Sequence, residues 1–402
     1  MPSVVHDRLE IVAGQGAWLT AADGRQLLDA GAGLWHANIG HGRAELADAA
    51  AAQMRTLETY HLFGRLANTP ALELADELAA VGPIDDAKVF FTSGGSDAVD
   101  LACKLARRYW QATGQADKTT IASRRLGYHG LHGFGTSIAG LEFNREGYGA
   151  ASLVPETIRI ATNDLALVRK EIDALGGENL AAVIAEPVIG TGGVVPPAPG
   201  YLAGLQQLCQ EHDALFVVDE VITGFGRTGV LFACERFGLE PDMVLFAKGV
   251  TSGYAPLGGV LVGPRVWEPF FAGPDAPMFR HGLTYSGHAT ACAVAQANLR
   301  VLDADDLVAG AAHLESVLVD ALRPLAGHDL VEEVRSGAGL LAGVQLRPEV
   351  DADKVARACL DDGVLLRAIT ANTLQICPPF VCTDDEIRQI AAAIEQNLPT
   401  AG

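Results

Sequence analysis

The amino-acid sequence predicts an α/β fold with a mostly parallel sheet. Apolar, β-branched runs of strand length alternate with helical segments through the middle of the chain. The runs are continuous rather than alternating in polarity, which is typical of strands covered by helices on both faces. With 402 residues, 49% of them hydrophobic, the chain is long enough for a large core or two domains.

The alternation of strands and helices begins at residue 88. The helix predicted over 96–114 has Ser96 as its N-cap and Gly114 after its end, and a second helix covers 200–212. The predicted strands of this region are 88–93, 119–123, 180–188, 214–221, 243–249 and 258–263.

The pattern changes near residue 302 and then predicts a smaller α+β unit. Its helices cover 307–322, 352–362 and 383–397, and its short strands lie within 330–346, 364–369 and 373–377. The first 45 residues, with a predicted hairpin around Asp23-Gly24, are too short to form a domain alone. We therefore expect a large domain over 46–302, and a small domain in which the N-terminal segment 1–45 packs with 303–402.

Charge and cysteine content restrict the class of protein. A formal net charge of −20 argues against nucleic acid or a membrane surface as the main partner, because both are anionic. The 7 Cys are odd in number and include no C-x-x-C pair, which indicates reduced thiols and no zinc site. No apolar run of about 18 residues and no signal peptide are recognisable. The expectation is a cytoplasmic protein without a metal and without a membrane contact.

A glycine motif at Gly224–Gly229 matches the dinucleotide fingerprint G-x-G-x-x-G and follows a predicted strand. A nicotinamide-dependent oxidoreductase is therefore one candidate function. However, no clear helix begins at the third glycine, and no second strand ends in an acid about 20 residues later. A turn or loop is the favoured interpretation.

Small residues at 92–96 lie between a predicted strand and the helix that follows it. They permit a close approach of the backbone, and the helix N-terminus offers free N–H groups to a phosphate. An ordinary strand-to-helix turn capped by Ser96 explains the same residues equally well.

A lysine and an acid follow two further predicted strands. Lys248 ends an apolar strand, at the edge where open α/β sheets bind ligands, and burial there would lower its pKa and free a nucleophilic amine. Asp219 and Glu220 end another strand, and only one of the two can face a given site. A phosphate cup, an amine and an acid that could pair with a ring nitrogen together fit pyridoxal 5'-phosphate (PLP).

With these three features in this order, the sequence resembles the class III, or omega-type, aminotransferases, which have the fold type I architecture of PLP enzymes. The likeness extends from about residue 14 to 397. The stretch most specific to the family is 217–263. Five further stretches match the family and occur in the family's order, namely FFTSGGSDAVDLACKLARRYW, GYHG, AEPVIGTGGVVPP, HGLTYSGH and CPPF.

The resemblance implies a role for each matching residue. Lys248 would form the Schiff base with PLP and move the proton, and Asp219 would pair with the pyridine nitrogen. Tyr128 would stack on one face of the ring and Val221 would pack on the other. Gly94, Gly95 and Ser96 would hold the phosphate together with Thr284 of the neighbouring subunit. The active unit is therefore expected to be a homodimer.

Further positions bear on the substrate. Relatives that use 2-oxoglutarate carry a Glu–Arg pair where this chain has Thr191 and Gln375, and the absence of both puts that acceptor in doubt. The chain resembles the amine:pyruvate branch instead, with Leu34, Trp35 and Phe63 at the substrate wall. Arg367 matches the mobile arginine that binds a substrate carboxylate.

The predicted function is the transfer of an amino group from a primary amine or omega-amino acid to a keto acid, with pyruvate as the expected acceptor. A natural-product aldehyde or ketone is a possible substrate. A PLP-dependent aminomutase or racemase of the same fold is the alternative, because the motifs define the cofactor more closely than the reaction.

Overall fold

A computed structural model describes residues 8–399 of the chain. The strands are β1 (Ile11–Gln15), β2 (Trp18–Ala21), β3 (Gln26–Asp29), β4 (Lys88–Thr92), β5 (Thr120–Arg124), β6 (Thr157–Ile160), β7 (Leu180–Ala185), β8 (Leu215–Asp219), β9 (Met243–Phe246), β10 (Gly258–Val262), β11 (Val331–Arg335), β12 (Ala342–Leu346), β13 (Val364–Leu365), β14 (Arg367–Ile369) and β15 (Thr373–Ile376). The α-helices are α1 (Ala32–Trp35), α2 (Ala44–Thr56), α3 (Thr69–Val81), α4 (Gly95–Ala112), α5 (Gly133–Ile138), α6 (Leu165–Asp173), α7 (Tyr201–Glu211), α8 (Ala233–Phe237), α9 (Pro264–Trp267), α10 (Ala289–Ala304), α11 (Leu307–Leu322), α12 (Ala352–Asp361) and α13 (Asp384–Asn397).

A seven-stranded sheet forms the centre of the molecule, in the order β4-β10-β9-β8-β7-β5-β6. Strands β6, β5, β7, β8 and β9 are mutually parallel, and β10 runs antiparallel between β9 and β4. Every residue of β7, β8, β9 and β10 is buried, because helices cover both faces of the sheet. The predicted α/β class with a mostly parallel sheet is confirmed.

Two four-stranded sheets lie outside the central one, β1-β2-β3-β13 and β11-β12-β15-β14. The predicted hairpin at Asp23-Gly24 is confirmed, since β2 and β3 pair antiparallel on either side of it. Strand β3 also pairs in parallel with β13, where Leu28 is opposite Val364. This joining of the two ends of the chain supports the proposed small domain of 1–45 and 303–402 beside a large domain over 46–302.

Two predicted boundaries are wrong in detail. The strand predicted over 364–369 is divided into β13 and β14, which pair with β3 and β15 and so belong to different sheets. The helix predicted to start with Ser96 as its N-cap begins at Gly95, with Gly94 as the N-cap residue. The hydroxyl of Ser96 is then free to accept a hydrogen bond from the backbone N–H of Leu131, at 3.3 Å.

The motif Gly224–Gly229 lies in turns after β8, and the next helix begins only at Ala233. The favoured interpretation as a loop is therefore confirmed. Within residues 8–399, the helices are too short or too polar for any of them to cross a membrane.

Candidate active site

A cavity of about 280 Å³ lies at the carboxyl ends of the parallel strands. Ligands bind open α/β sheets at this edge because the loops diverge there and leave a crevice. Nine predicted site residues line it, namely Leu34, Trp35, Gly95, Ser96, Tyr128, Asp219, Val221, Lys248 and Arg367. It is also lined by Val99, His129, Gly130, Glu186, Thr191 and Ile222. The structure thus brings together residues from both ends of the chain and from its middle.

Lys248 follows β9 and begins a short 3-10 helix, Lys248–Val250. Its φ of 44° is left-handed, a conformation that is uncommon outside glycine and that is often found at functional sites. Burial lowers the pKa of the amine to about 8, although the carboxylates of Asp219 and Glu186 act in the opposite direction. About a tenth of the amine is therefore unprotonated at pH 7, and this fraction is able to act as a nucleophile.

The two adjacent acids after β8 point to opposite sides, as strand geometry requires. Asp219 faces the cavity, and its Oδ1 accepts a hydrogen bond from the backbone N–H of Val221 at 3.1 Å. Glu220 faces away and accepts hydrogen bonds from the backbone N–H groups of Ala233 and Cys234, at 2.9 and 2.8 Å. Its role is therefore to satisfy the start of α8, while Asp219 remains available to a ligand.

His129 is a site residue that was not predicted from the sequence. Its Nδ1 lies 2.8 Å from Oδ2 of Asp219, and the side chains are 1% and 4% exposed, respectively. Its Nε2 is buried and has no hydrogen-bond partner within residues 8–399. The position of His129 beside Tyr128 in GYHG was the only signal that could have identified it.

Glu186, after β7, is a second buried acid at the cavity that the sequence did not identify. Its carboxylate accepts hydrogen bonds from the backbone N–H of Tyr128 at 3.0 Å and of Gly190 at 2.9 Å. Burial raises the pKa of this carboxyl group, while the nearby His129 acts to lower it. The side chain joins the segment that carries Tyr128 to the loop that carries Thr191.

The N-terminus of α4 also lines the cavity, through Gly95 and Ser96. A Cβ on Gly95 would lie 3.1 Å from Cγ1 of Val221, and a Cβ on Gly130 would lie 2.3 Å from Oγ of Ser96. Glycine at these two positions therefore leaves space in front of the free N–H groups of an 18-residue helix, which attract an anion. Gly94, which was predicted to help to hold the phosphate, is the N-cap residue and does not line the cavity. Gly130 does line it and was not among the predicted site residues.

Side chains from three segments form the outer wall. Leu34 is half exposed, whereas Trp35 is buried and has a left-handed φ of 67°. Arg367 begins β14 and is partly buried, and burial lowers the pKa of its guanidinium. Thr191 completes this wall at the position where 2-oxoglutarate-using relatives carry the Glu of the pair.

Besides Gly94, two predicted residues, Phe63 and Thr284, do not line the cavity. Both are exposed on neighbouring surface segments, since a Cβ on Gly282 would lie 2.7 Å from Cε1 of Phe63. The predicted contact of Thr284 with a neighbouring subunit lies beyond a single chain and stays a prediction.

The cavity fits PLP on the evidence of its own residues. Its lining includes an acid that could pair with a protonated ring nitrogen and a helix N-terminus suited to a phosphate. Tyr128 and Val221 also line the cavity, and Lys248 supplies an amine with a lowered pKa. These are the groups that a pyridine ring with a phosphate and an aldehyde requires.

Comparison with known proteins gives one consistent family. The family model described as "Aminotransferase class-III" matches residues 2–398. An omega-aminotransferase of Caulobacter vibrioides is 37% identical over 98% of this chain and 94% of its own length. A putrescine–pyruvate aminotransferase of Pseudomonas aeruginosa is 36% identical over 96% of this chain and 90% of its own length.

Among solved structures, a PLP-bound amine transaminase from an uncultivated Pseudomonas species superposes with a TM-score of 0.92. It is 37% identical, and the match covers 97% of this chain and 94% of the other.

Proposed function

The chain belongs to the class III aminotransferases, and we propose that it moves an amino group from a primary amine or omega-amino acid to pyruvate. Its fold is that of the fold type I enzymes and its cofactor is PLP. The observation that carries the proposal is the amine of Lys248 with its lowered pKa, which shares a cavity with the acid Asp219 and with a single guanidinium, that of Arg367.

The cavity residues divide the work of holding the cofactor. Gly95 and Ser96 would hold the phosphate, Tyr128 and Val221 would flank the ring, and Asp219 would keep the ring nitrogen protonated. When bound, PLP supplies an aldehyde that captures amines and a ring that withdraws electrons from the carbon bearing the nitrogen.

Lys248 acts as the proton carrier between the two carbons that exchange hydrogen during the transfer. Its lowered pKa allows Nζ to accept a proton and release it again near neutral pH, as general acid–base catalysis requires. His129 holds Asp219 in place through the 2.8 Å contact between Nδ1 and Oδ2. Glu186 accepts a hydrogen bond from the backbone N–H of Tyr128 and so holds the side of the cavity formed by Tyr128 in place.

The outer wall favours a keto acid with one carboxylate. Arg367 offers one cation, and the neutral Thr191 and Gln375 replace the charged pair of relatives that use 2-oxoglutarate. A second carboxylate in this partly apolar space would have no cation to pair with, and burial of an unpaired charge is costly. Pyruvate fits this charge balance. A natural-product aldehyde or ketone as the amino acceptor is the other use of the same wall.

We further propose a homodimer in the cytoplasm. Two segments, 60–66 and 278–285, expose large apolar side chains, and the second of them carries Thr284. The exposed side chains are Tyr60, Phe63, Leu66, Met278 and Tyr285. Burial of such side chains in a second copy would remove them from water. All seven Cys are free and buried, which agrees with a reducing compartment.

A two-step absorbance experiment tests the proposed function. The purified protein is loaded with PLP, a primary amine or omega-amino acid is added, and the visible absorption of the bound cofactor should disappear. Pyruvate should restore the absorption and yield alanine. The other acceptor, 2-oxoglutarate, which would yield glutamate, should restore it much less efficiently. Preference for 2-oxoglutarate contradicts the proposed acceptor, whereas rearranged or racemised donor without amino transfer indicates an aminomutase or racemase.

A further inference from the structure

Gln375 and Arg367 are direct neighbours across β15 and β14, where their Cα atoms pair in the antiparallel register. Residues opposite each other in such a pair project from the same face of the sheet. Arg367 lines the active-site cavity, whereas Gln375 is completely buried beside it. An amide therefore lies next to the guanidinium that faces the substrate.

The side-chain amide of Gln375 is unsatisfied. Neither Nε2 nor Oε1 has a hydrogen-bond partner within residues 8–399. A buried polar group without a partner destabilises a protein, and native structures rarely retain one unless a ligand or another group completes it. An apolar side chain of the same size would avoid this cost, so the amide points to a ligand that is absent from the isolated chain.

The surroundings of Gln375 are the backbone segments of the substrate wall. Its Nε2 is 3.8 Å from the position of a Cβ on Gly31, just before the residues Leu34 and Trp35 that line the cavity. Across β12, Gln375 pairs with Gly343, and a Cβ there would lie 2.8 Å from the carbonyl oxygen of Gly193. The amide is thus enclosed between the segment carrying Trp35 and the loop carrying Thr191.

The segment between Gln375 and the cavity is strained. Ala32 and Trp35 both have left-handed φ values, 46° and 67°, although neither is a glycine. Leu34, between them, is 51% exposed. Such backbone outliers are frequent at ligand-binding sites, and Gly31, just before this segment, lies against the buried amide of Gln375.

We propose that Gln375 determines acceptor specificity by donating a hydrogen bond from Nε2, beside the guanidinium of Arg367, to the carboxylate of the keto acid. The inference rests on the proposed function. One cation and one neutral donor match the single negative charge of a monocarboxylate, and the amide adds direction without adding a second positive charge. The nearby carboxylate of Asp29 accepts hydrogen bonds from Gly31, Gly33 and His41, and within residues 8–399 it makes none with the amide of Gln375.

The test compares two acceptors, pyruvate and propanal, which has no carboxylate. In Gln375→Met, which keeps the length of the side chain, the KM for pyruvate should rise about tenfold to a hundredfold, the loss expected for one hydrogen bond to a charged group. The kcat with saturating pyruvate and the kinetics with propanal should change by less than about twofold. Gln296→Met, which removes another buried amide far from the cavity, is the matched control and should not separate the two acceptors.

A double-mutant cycle adds a second readout. If Gln375 and Arg367 hold the same carboxylate, the effects of Gln375→Met and Arg367→Met on KM for pyruvate should be non-additive. Additive effects, an unchanged KM for pyruvate, or equal losses with pyruvate and propanal would overturn the proposal. If Gln375→Met does not fold or bind PLP, Gln375→Leu, which removes the donor without adding a charge beside Arg367, decides by the same comparison. An inactive wild-type protein contradicts the proposed function, whereas an active one without acceptor discrimination contradicts only the role of Gln375.

Discussion

The imidazole Nδ1 of His129 lies 2.8 Å from Oδ2 of Asp219, and both side chains are almost fully buried. The other oxygen of Asp219 accepts a hydrogen bond from the backbone N–H of Val221. The carboxylate is therefore fixed from two directions, and it faces the cavity that also contains Lys248. Fixing a charged group in advance lowers the cost of reorganisation when the ligand binds.

Removal of the His129 contact should weaken cofactor binding. His129→Phe keeps a ring of similar size but leaves Asp219 without this partner, so the Kd for PLP should rise about tenfold to a hundredfold. Titration of the apo protein with PLP, followed by absorbance, measures this Kd. His132→Phe, at a largely exposed histidine near Asp97, is the control and should bind PLP normally. An unchanged Kd in His129→Phe would mean that the contact is merely structural.

Capture of PLP by the apo protein should depend on pH through Lys248. Because burial lowers the pKa of this amine to about 8, it is protonated and unreactive below that pH and neutral above it. The rate of capture should rise about tenfold per pH unit up to pH 8 and level off above it. Stopped-flow absorbance provides the profile, and Lys248→Ala should show no covalent capture at any pH. A plateau reached only above pH 10 contradicts the lowered pKa.

Two glycine substitutions separate backbone strain from crowding of the phosphate site. Gly130 and Gly114 have similar left-handed φ values, 81° and 84°. The left-handed φ alone should cost alanine about 1 kcal/mol of the free energy of unfolding at either position, and the overlap at Gly130 should add to that cost. Only at Gly130 would the new Cβ meet another residue, at 2.3 Å from Oγ of Ser96, because nothing lies within 4 Å at Gly114. Gly130→Ala should therefore also raise the Kd for PLP, as measured by titration, and Gly114→Ala should not.

Acceptor preference should respond to the restoration of a charged pair. The double variant Thr191→Glu with Gln375→Arg introduces the Glu–Arg pair of relatives that use 2-oxoglutarate. The ratio of kcat/KM for 2-oxoglutarate to that for pyruvate should increase at least about tenfold, because the new cation can pair with the second carboxylate. Gln375→Arg alone should be less stable than the double variant, since it buries an unpaired charge, and thermal unfolding measures the difference. No change in the ratio argues against these positions as determinants.

Mixed dimers test the predicted role of Thr284. A chain with Lys248→Ala retains Thr284, and a chain with Thr284→Glu retains Lys248 but places a negative charge near the phosphate of its partner. If Thr284 serves the neighbouring subunit, mixing the two weakly active variants should generate dimers with one intact site and measurable activity. Activity no greater than the sum of the separate variants indicates that Thr284 serves its own chain or neither site.

Much of the fold could be predicted because the local signal was strong. The predicted strands over 180–188, 214–221 and 243–249 appear as β7, β8 and β9, since continuous apolar, β-branched runs suit a sheet buried on both faces. Lys248 and Asp219 were identifiable because each ends such a run, at the edge where ligands bind. The division of 364–369 could not be predicted, because β13 and β14 differ in their partner strands rather than in local sequence.

The missed site residues share a physical reason. Each of them acts through a contact with a residue far away in the sequence. His129 contacts Asp219, Glu186 accepts a hydrogen bond from Tyr128, and Gly130 packs against Ser96. No spacing or composition encodes such contacts.

The sequence by itself determined the class of fold and placed the amine of Lys248 and the adjacent acids Asp219 and Glu220 at strand ends. The resemblance of its motifs to the class III aminotransferases implied the cofactor and the choice of Asp219. Only the tertiary structure decided which of Asp219 and Glu220 faces the cavity and which groups surround Lys248. It also decided that the buried amide of Gln375 lies beside Arg367 and has no hydrogen-bond partner among the described residues. Burial and neighbouring charges set the pKa of an amine and the cost of an unpaired amide, and both exist only after distant segments have packed together.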